Sequence, residues 1–370
     1  MNENLKILVC PLDWGLGHAT RMIPVIQQLL DQQIEVIIAA DGEALDFLRN
    51  EFPNLKSILL PQYRVRYSCR NSQVISMIRV VPAMILSTIK EHLTLKKLVQ
   101  QEHIDCVISD NRYGLWSKSA HSVFVTHQLR VKFPGYLKLL EPLFQIVVKS
   151  IIRHYDECWI PDLPGEINYS GELSHSLTLT NQVFIGPLSR FKATNQSGIT
   201  KKKYDFAVIL SGPEPQRSLL ELKIYSQLKI KNYKAAFVRG IQDGNLLQPT
   251  ENIDVFERRN SIKLQELIDD SDFIICRSGY SSIMDMIRLR KTAVLIPTPG
   301  QTEQEYLADY LHKKGLFFSI SQKEFCIDNA MQNKISFNAE NRDDEGAALT
   351  QCILELENRI NKIKHHKRRN

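Results

Sequence analysis

The sequence predicts an α/β protein built from two Rossmann-like halves, each a doubly wound parallel sheet. Three observations predict this fold class. Short apolar runs alternate with longer amphipathic segments, which is the pattern of a parallel sheet with helices on both faces. The pattern stops in a polar stretch at residues 192–203 and then starts again. The chain has 370 residues, which is long enough for two domains of ordinary size.

The first half begins with a predicted strand at residues 5–11, and a predicted helix at residues 19–31 follows it. Two long amphipathic stretches predict further helices at about residues 73–101 and 136–154. The apolar run at residues 183–191 contains Gly186-Pro187, a pair that is typical of a turn after a strand. The other predicted strands of this half are residues 34–39, 57–60, 105–109, 122–125 and 158–160.

The second half repeats the alternation, and a last predicted helix at about residues 345–365 has no strand after it. We therefore expect domains at residues 1–190 and 191–345, followed by a C-terminal helix and basic tail at residues 346–370. The predicted strands are residues 204–210, 235–238, 254–256, 273–276 and 293–296. The predicted helices are residues 215–229, 263–270, 280–289 and 303–314.

Composition and charge narrow the class of protein. The chain is 43% hydrophobic and 24% charged, as soluble globular proteins are. The last 12 residues carry six Lys and Arg and no acid, so their charge equals the net charge of the whole chain, +6. Acidic and basic residues therefore balance in the rest of the chain, whereas a nucleic-acid-binding protein has an excess of basic residues. Seven cysteines without a Cys-x-x-Cys pair argue against a zinc ribbon or a disulfide framework. We expect a reduced, cytoplasmic protein without a secretory signal or a transmembrane helix.

The most informative local pattern lies between the first predicted strand and helix. Gly15 and Gly17 allow a tight turn and a close approach of the backbone to a ligand, and His18 and Arg21 follow them. An imidazole at the end of a sheet strand can take a proton from a hydroxyl group near neutral pH. The alternative is that the glycines only shape the turn and that His18 only caps the helix.

A second cluster closes a strand of the second half and opens a helix with Arg277, Ser278 and Gly279. Backbone N–H groups at such a helix start can bind an anion. Asp285 follows six residues after Gly279, where a carboxylate could accept both hydroxyl groups of a ribose. The alternative for Asp285 is an ordinary solvated helix residue.

The next strand is followed by a stiff loop with two prolines, residues 297–304. Its neutral side chains Gln301, Thr302 and Gln304 could donate hydrogen bonds to hydroxyl or phosphate groups. A surface turn with a helix cap would explain the same three residues.

Together these segments resemble the nucleotide-sugar glycosyltransferases of the GT-B fold, in particular family 28. The Gly-His segment ending at His18, the Cys-Arg-Ser-Gly segment at residues 276–279, the acid at Asp285 and the Gln-rich loop come in that family's order. The resemblance implies a GT-B fold, a nucleoside diphosphate sugar as donor substrate and no other cofactor. It implies donor contacts from Ser211 and Gly212 and from the residues of the two clusters, and an acceptor or phosphate loop that contains Gly15, Gly17, Arg21 and His127.

The resemblance also implies a mechanism of inverting transfer. His18 is the expected general base, and Asp110, at the end of another strand, could orient it or could cap the helix that follows. Helix N-termini and the hydroxyl groups around Ser278 and Ser211 are expected to stabilise the leaving diphosphate. A metal ion is not obligatory in this fold class, so we expect none in the site. A UDP-sugar is the expected donor.

Two departures from the family pattern keep other functions open. The loop at residues 211–215 contains Pro213, Glu214 and Pro215, which remove N–H donors and add a negative charge. This supports a non-catalytic nucleotide-sugar-binding protein as an alternative. The Gly-x-Gly-His-x-x-Arg arrangement that ends at Arg21 also resembles nucleotide-sugar hydrolases of the pseudaminic-acid pathway. Sugar epimerases of the same fold rank lower, because their acid-rich pattern is not evident.

The acceptor is expected to be a glycan or a lipid-linked molecule. Residues 74–98 and 136–153 mix apolar and basic side chains, as in surfaces that dock on a membrane. The hypothesis is a cytoplasmic protein with peripheral contact to the inner membrane face and no nucleic-acid partner. The alternative is that these helices pack on the sheet with their basic ends in water. The basic tail is either a solvated end or a contact for anionic lipid.

Overall fold

The computed structural model describes residues 5–61, 73–193, 202–241, 247–333, 335 and 346–369, and only the backbone of residues 73–84, 136 and 365–369. The chain forms two compact units. The first consists of Met1–Leu188 together with Asp344–Asn370, and the second is Ser189–Asp343.

The first unit contains a seven-stranded sheet in which all paired strands are parallel. The strand order is β3-β2-β1-β4-β5-β6-β7. Strands β1, β2, β4, β5 and β6 are almost wholly buried, because helices on both sides of a parallel sheet remove it from water. The strands are β1 (Lys6–Pro11), β2 (Glu35–Ala40), β3 (Lys56–Leu59), β4 (Cys106–Asp110), β5 (His121–Val125), β6 (Glu157–Ile160) and β7 (Gln182–Phe184).

Helices connect these strands in the order that a doubly wound sheet requires. They are α1 (Leu16–Asp31), α2 (Gly42–Glu51), α3 (Gln73–Glu102), α4 (Glu141–Ile152) and α5 (Glu172–His175), with a 3-10 helix at Gly135–Leu140 before α4. The buried face of α1, which includes Met22, Ile26 and Leu29, packs into the core beside β1 and β2.

The second unit contains a six-stranded parallel sheet with the order β10-β9-β8-β11-β12-β13. Its strands are β8 (Tyr204–Ile209), β9 (Ala235–Val238), β10 (Ile253–Phe256), β11 (Ser271–Cys276), β12 (Val294–Leu295) and β13 (Phe318–Ser319). Its helices are α6 (Gln216–Ile230), α7 (Ser261–Asp269), α8 (Tyr280–Arg288), α9 (Thr302–Lys313) and α10 (Ile327–Gln332).

The last helix, α11 (Ala347–Arg369), belongs to the first unit. Its apolar face is buried in the core that contains α1, and it includes Cys352, Ile353 and Leu356. Polar contacts join the same helix to the sheet, since Arg359 lies 3.2 Å from Glu157 and Lys364 lies 2.7 Å from Asp105. The expected separate segment at residues 346–370 is therefore an integral layer of the first unit.

The two parallel sheets confirm the predicted fold class, and the observed strands agree with the predicted ones to within a few residues at their ends. The very short strand β13 and helix α10 were not predicted, because two and six residues are too few to show a periodicity. The predicted helix at 136–154 begins instead as the 3-10 helix. Most of the predicted linker, residues 194–201, and part of the predicted apolar and basic segment lie outside the described residues.

Candidate active site

The ends of three neighbouring strands of the first unit bring together the residues predicted around His18. The turn after β1 leads into α1 through Gly15, whose φ of 73° lies in the left-handed region that glycine tolerates. His18 and Arg21 are in the first two turns of α1. Among the described residues no side chain caps α1 at Gly15, so the structure does not support the capping alternative for His18.

His18 and Asp110 are in direct contact. Nδ1 of His18 lies 3.2 Å from Oδ2 of Asp110, which is the last residue of β4. Arg21 joins the pair: its Nε donates to Oδ2 of Asp110 at 2.8 Å, and its Nη2 contacts Oδ1 of the same carboxylate. The predicted contact between His18 and Asp110 is therefore present within one unit.

His127, from the loop after β5, completes the cluster. Its Nδ1 lies 2.6 Å from Nη1 of Arg21, and the ring is buried. Arg21 thus links His127 to Asp110, and its Nη2 also lies 2.8 Å from Nδ1 of His18. Gly17 contributes through its backbone, since its carbonyl oxygen accepts a hydrogen bond from Thr20.

Burial and the neighbouring charges set the ionisation of the pair. Burial lowers the pKa of His18 below its usual value, and this effect exceeds the opposing influence of the Asp110 carboxylate. Burial by itself would raise the pKa of Asp110, but Arg21 and His18 together hold that pKa below the usual range. Near pH 7 the site therefore holds a neutral imidazole beside an ionised carboxylate.

The tautomer of His18 decides what the imidazole can do. A proton on Nδ1 can be donated to Asp110, which leaves Nε2 with a free lone pair as a base. In the other tautomer Nδ1 accepts from Nη2 of Arg21, and Nε2 carries the proton. The 3.2 Å and 2.8 Å contacts of Nδ1 are thus two alternatives for one nitrogen.

Asn111 and Arg112 follow Asp110 in the chain. Arg112 is fully buried and donates to Glu91 at 2.9 Å, so its charge is paired inside the unit. Asn111 has a φ of 53°, a conformation that asparagine adopts more readily than most residues.

In the second unit, Ser211 and Gly212 are exposed and lie in the loop after β8, separated from the strand by Leu210. Glu214 then occupies the start of α6, because its Oε2 accepts from the backbone N–H of Ser218 at 3.3 Å and its Oε1 is paired with Arg217. The negative charge that the sequence places here therefore neutralises the helix N-terminus within the chain itself.

Arg277 was predicted to contact the donor, but the structure gives its side chain another role. The guanidinium is fully buried, and it donates to the carbonyl oxygens of Gln216 at 2.8 Å, Ile296 at 3.3 Å and Pro297 at 3.2 Å. Arg277 therefore links the start of α6 to the loop after β12.

The predicted polar side chains at the starts of α8 and α9 form one hydrogen-bond network. Ser278 is buried and donates to the carbonyl oxygen of Gln304 at 2.8 Å. The side chain of Gln304 accepts from the backbone N–H of Thr298 at 2.9 Å and donates to Gln301 at 2.5 Å. Gly279 precedes the first turn of α8, and Thr302 is the first residue of α9.

Asp285 was predicted to bind a ribose, but both of its carboxylate oxygens already have a partner. Oδ1 accepts from Oγ of Ser189 at 2.7 Å, and Oδ2 lies 3.2 Å from Nε of Arg190. The residue is only 4% exposed, and burial raises the pKa of the carboxyl although Arg190 and Ser189 act in the opposite direction. A ribose could reach this carboxylate only by displacing those partners.

One residue of the site was not among the predicted ones. Thr298 is buried in the loop after β12, and its hydroxyl faces the position of Gly212. Its neighbours Pro297 and Pro299 marked the loop as stiff, but no local signal distinguished this threonine from others.

The chain is similar to known glycosyltransferases in sequence and in fold. Residues 217–361 match the model of the glycosyltransferase family 28 C-terminal domain. A relative from Haemophilus ducreyi, named UDP-N-acetylglucosamine–N-acetylmuramyl-(pentapeptide) pyrophosphoryl-undecaprenol N-acetylglucosamine transferase, is 26% identical over 156 residues. That match spans 40% of this chain and 42% of the relative, so it covers less than half of either protein.

Solved structures are similar over almost the whole chain. The glycotransferase of kitacinnamycin superposes with a TM-score of 0.64 at 12% identity, covering 97% of this chain and 99% of its own. MurG of Acinetobacter baumannii superposes with a TM-score of 0.55 at 12% identity, covering 96% and 99%. Together these matches confirm the resemblance drawn from the sequence. The chain has the GT-B fold of glycosyltransferases and resembles their family 28 members, whose C-terminal domain matches residues 217–361.

Proposed function

We propose that the chain is an inverting glycosyltransferase that moves a sugar from a nucleoside diphosphate sugar to a hydroxyl group of an acceptor. The observation that carries the proposal is the contact of His18 with Asp110, in a chain whose residues 217–361 match the family 28 C-terminal domain. A UDP-sugar is the first donor to test, because UDP-N-acetylglucosamine appears in the name of the Haemophilus ducreyi relative.

In the proposed reaction His18 acts as the general base. Asp110 accepts the proton on Nδ1 and so leaves Nε2 to take the proton of the acceptor hydroxyl. The hydroxyl oxygen forms a bond to the anomeric carbon as the bond from that carbon to the diphosphate breaks. Attack on the face opposite to the leaving group inverts the configuration.

Arg21 has two effects on this base. It keeps Asp110 ionised through its two contacts with the carboxylate, which favours the tautomer that the reaction needs. It also competes for Nδ1 of His18. We propose that Arg21 and His127 set the orientation of the pair, and that neither takes the proton itself.

The leaving group needs stabilisation because two phosphates carry its negative charge. We propose that the first turn of α8 after Gly279, together with the loop residues Ser211 and Gly212, receives this charge. Gln301, Thr302 and Gln304 are the proposed contacts for the remainder of the donor. The described residues contain no group of three or more His, Cys, Asp and Glu that could hold a metal ion, and metal independence stays a prediction.

A lipid-linked acceptor is the second part of the proposal. Large apolar side chains are exposed along α3 and around α4, and basic residues such as Lys90 and Lys149 accompany them. Such a surface suits contact with a membrane. Among the described residues no helix is both long and apolar enough to cross a bilayer. The exposed apolar residues are Ile85, Leu86, Ile89 and Leu93 on α3, and Leu139, Leu140, Leu143, Ile146 and Val147 at and before α4.

Turnover tests the proposal directly. The full chain is incubated with UDP-, GDP- and dTDP-sugars, with and without a lipid extract, and mass spectrometry follows free sugar, nucleoside diphosphate and glycosylated product. A glycosylated product supports the transferase. Free sugar without an acceptor would indicate a hydrolase instead, and nucleotide binding without turnover would indicate a binding protein.

The variant His18→Gln identifies the base. It removes the proton acceptor, so turnover is expected to fall by about 10²-fold to 10⁴-fold while the nucleotide still binds. His103→Asn is the matched control, because His103 is an exposed histidine with a φ of 54° that asparagine tolerates. Equal turnover of His18→Gln and the unchanged chain would refute the assignment of His18.

A further inference from the structure

Trp14 exposes a large aromatic side chain in the turn that leads to the proposed base. The chain has three tryptophans, and they differ in exposure. Trp159 is fully buried, and Trp116 is half-buried against the rings of His92 at 4.0 Å and His154 at 4.9 Å. Trp14 lies between β1 and α1 and is 65% exposed. Most of its surface is therefore accessible to a ligand.

The backbone that carries Trp14 is fixed by contacts with neighbouring segments. The N–H of Leu12 donates to the carbonyl oxygen of Asp110 at 3.1 Å. Oδ1 of Asp13 accepts from the backbone N–H of Ala44, also at 3.1 Å. On the other side of Trp14, helix α1 begins two residues later. The exposure of the indole is therefore a property of a well-anchored turn.

The next residue in the turn, Gly15, leaves room for a ligand. Among the described residues, and apart from its two chain neighbours, no atom lies within 4 Å of the place that a Cβ atom on Gly15 would take. Gly15 is itself exposed. His18 follows three residues later in the first turn of α1, and three residues span at most about 11 Å. A ligand that covers Trp14 and Gly15 is therefore near the imidazole.

The charges around the turn are negative. Asp41 accepts from the N–H of Gly42 at 2.8 Å, and Asp13 accepts from the N–H of Ala44, so two carboxylates already bind N–H groups at the start of α2. Glu43 adds a third acidic side chain in the first turn of that helix. A further anion would be repelled by these carboxylates. The turn therefore suits an uncharged ligand.

An uncharged sugar ring matches both the indole and the charge. One face of a pyranose ring consists of C–H groups with a slight positive charge, and the negative face of an indole attracts such groups. The hydroxyl groups at the edge of the ring remain available to a base such as His18. Arg21, the nearest cation in the sequence, is paired with Asp110 and adds no unbalanced positive charge.

We propose that Trp14 stacks on an uncharged sugar ring of the acceptor and so presents one of its hydroxyl groups to His18. Trp14 is then a binding residue that selects the acceptor, and it takes no part in the transfer of the proton. The inference rests on the proposed transferase function, and it narrows the acceptor to a molecule that carries a neutral glycosyl group.

Fluorescence tests this site without turnover. Acrylamide quenching of the full chain is measured with the methyl β-glycosides of glucose, galactose and N-acetylglucosamine, and with methyl β-glucuronoside, which adds a carboxylate to the glucose ring. A neutral glycoside is expected to protect the unchanged chain, and the glucuronoside is expected to give no protection. Trp14→Phe should lose the protected component, because the other two tryptophans are buried or half-buried.

Turnover separates stacking on an aromatic face from a simple apolar contact. With the donor that turns over and the neutral glycoside as acceptor, Trp14→Leu is expected to raise the KM of the acceptor by about tenfold. The kcat and the KM of the donor should stay the same. Trp14→Phe keeps an aromatic face and should retain most of the acceptor affinity. Ile262→Ala is the control for an exposed apolar side chain, since Ile262 on α7 is 71% exposed.

Equal protection by the glucuronoside and the glucoside, or no protection by any glycoside, would overturn this inference. An acceptor KM that is the same in Trp14→Leu and in the unchanged chain would also overturn it, while the transferase function would stand. Protection without turnover of any donor would refute the transferase function and with it the acceptor role of the site. Thermal melting checks that each variant is folded.

Discussion

Nδ1 of His18 and Oδ2 of Asp110 lie 3.2 Å apart, although the two residues are 92 positions apart in the chain. The parallel pairing of β1 with β4 brings them together, because Pro11 and Asp110 are partners in that register and His18 follows β1 closely. The contact supports the proposal that His18 is a general base and that Asp110 orients it, which neither residue indicated strongly in the sequence.

The pH dependence of turnover should reflect the environment of His18. Because burial lowers the pKa of its imidazole, the neutral form persists to a lower pH than in a free histidine. We therefore expect kcat/KM to fall on the acid side only below about pH 6.5, the usual value for histidine. A pH–rate profile of the full chain measures this.

The negative charge of the Asp110 carboxylate raises the pKa of His18, whereas burial lowers it. The variant Asp110→Asn should move the acid limb of the profile to a still lower pH. His103→Asn should leave the profile unchanged. An acid limb above pH 6.5 would contradict the assigned environment.

Asp285 is expected to act as an anchor for the segment that contains Ser189 and Arg190. Asp285→Asn replaces one acceptor oxygen with an amide NH₂ group, which leaves the Nε of Arg190 or the hydroxyl of Ser189 without its acceptor, so the free energy of unfolding should fall by about 1–3 kcal/mol. Denaturant unfolding measures the change. Asp309→Asn is the control, because its ion pair with Lys313 is exposed and contributes little.

Nucleotide titration of the same variant decides between the anchor and the predicted ribose contact. Unchanged stability combined with weaker nucleotide binding would restore the ribose role of Asp285. Lower stability with unchanged binding would support the anchor.

Membrane contact should depend on the exposed apolar residues of α4. The double variant Leu143→Ser and Ile146→Ser removes two large side chains that are 59% and 66% exposed, so folding should be little affected. Flotation with anionic vesicles at low salt should fall by roughly tenfold or more, because two apolar insertions are lost. Ile230→Ser, on α6 of the other unit, is the control for an exposed isoleucine. Failure of the unchanged chain to float would remove the membrane hypothesis.

The C-terminal helix α11 should be necessary for the stability of the first unit. Ile353 is fully buried in the core with α1, so Ile353→Ala is expected to lower the free energy of unfolding by about 2–5 kcal/mol. Ile363 on the same helix is 43% exposed, and its alanine variant should stay within about 0.5 kcal/mol. Equal effects of the two variants in denaturant unfolding would show that α11 does not pack as described.

The site was predicted in part. The turn with Gly15 and His18 and the segment with Arg277, Ser278 and Gly279 were located correctly at strand ends, because such ends follow from local apolar periodicity. The roles of buried charges were harder to predict. Whether Arg277 and Asp285 face a ligand or the interior depends on neighbours that are distant in the sequence.

The sequence by itself determined the fold class, most strand positions and the order of the segments that resemble family 28, because alternation and turn residues are local properties of the chain. The tertiary structure alone decided three further points. It placed α11 in the first unit, paired the carboxylate of Asp285 with the hydroxyl of Ser189, and placed the hydroxyl of Thr298 beside Gly212. Each depends on contacts between segments that are far apart in the chain, and packing and the burial of charge select such contacts only when the whole unit folds.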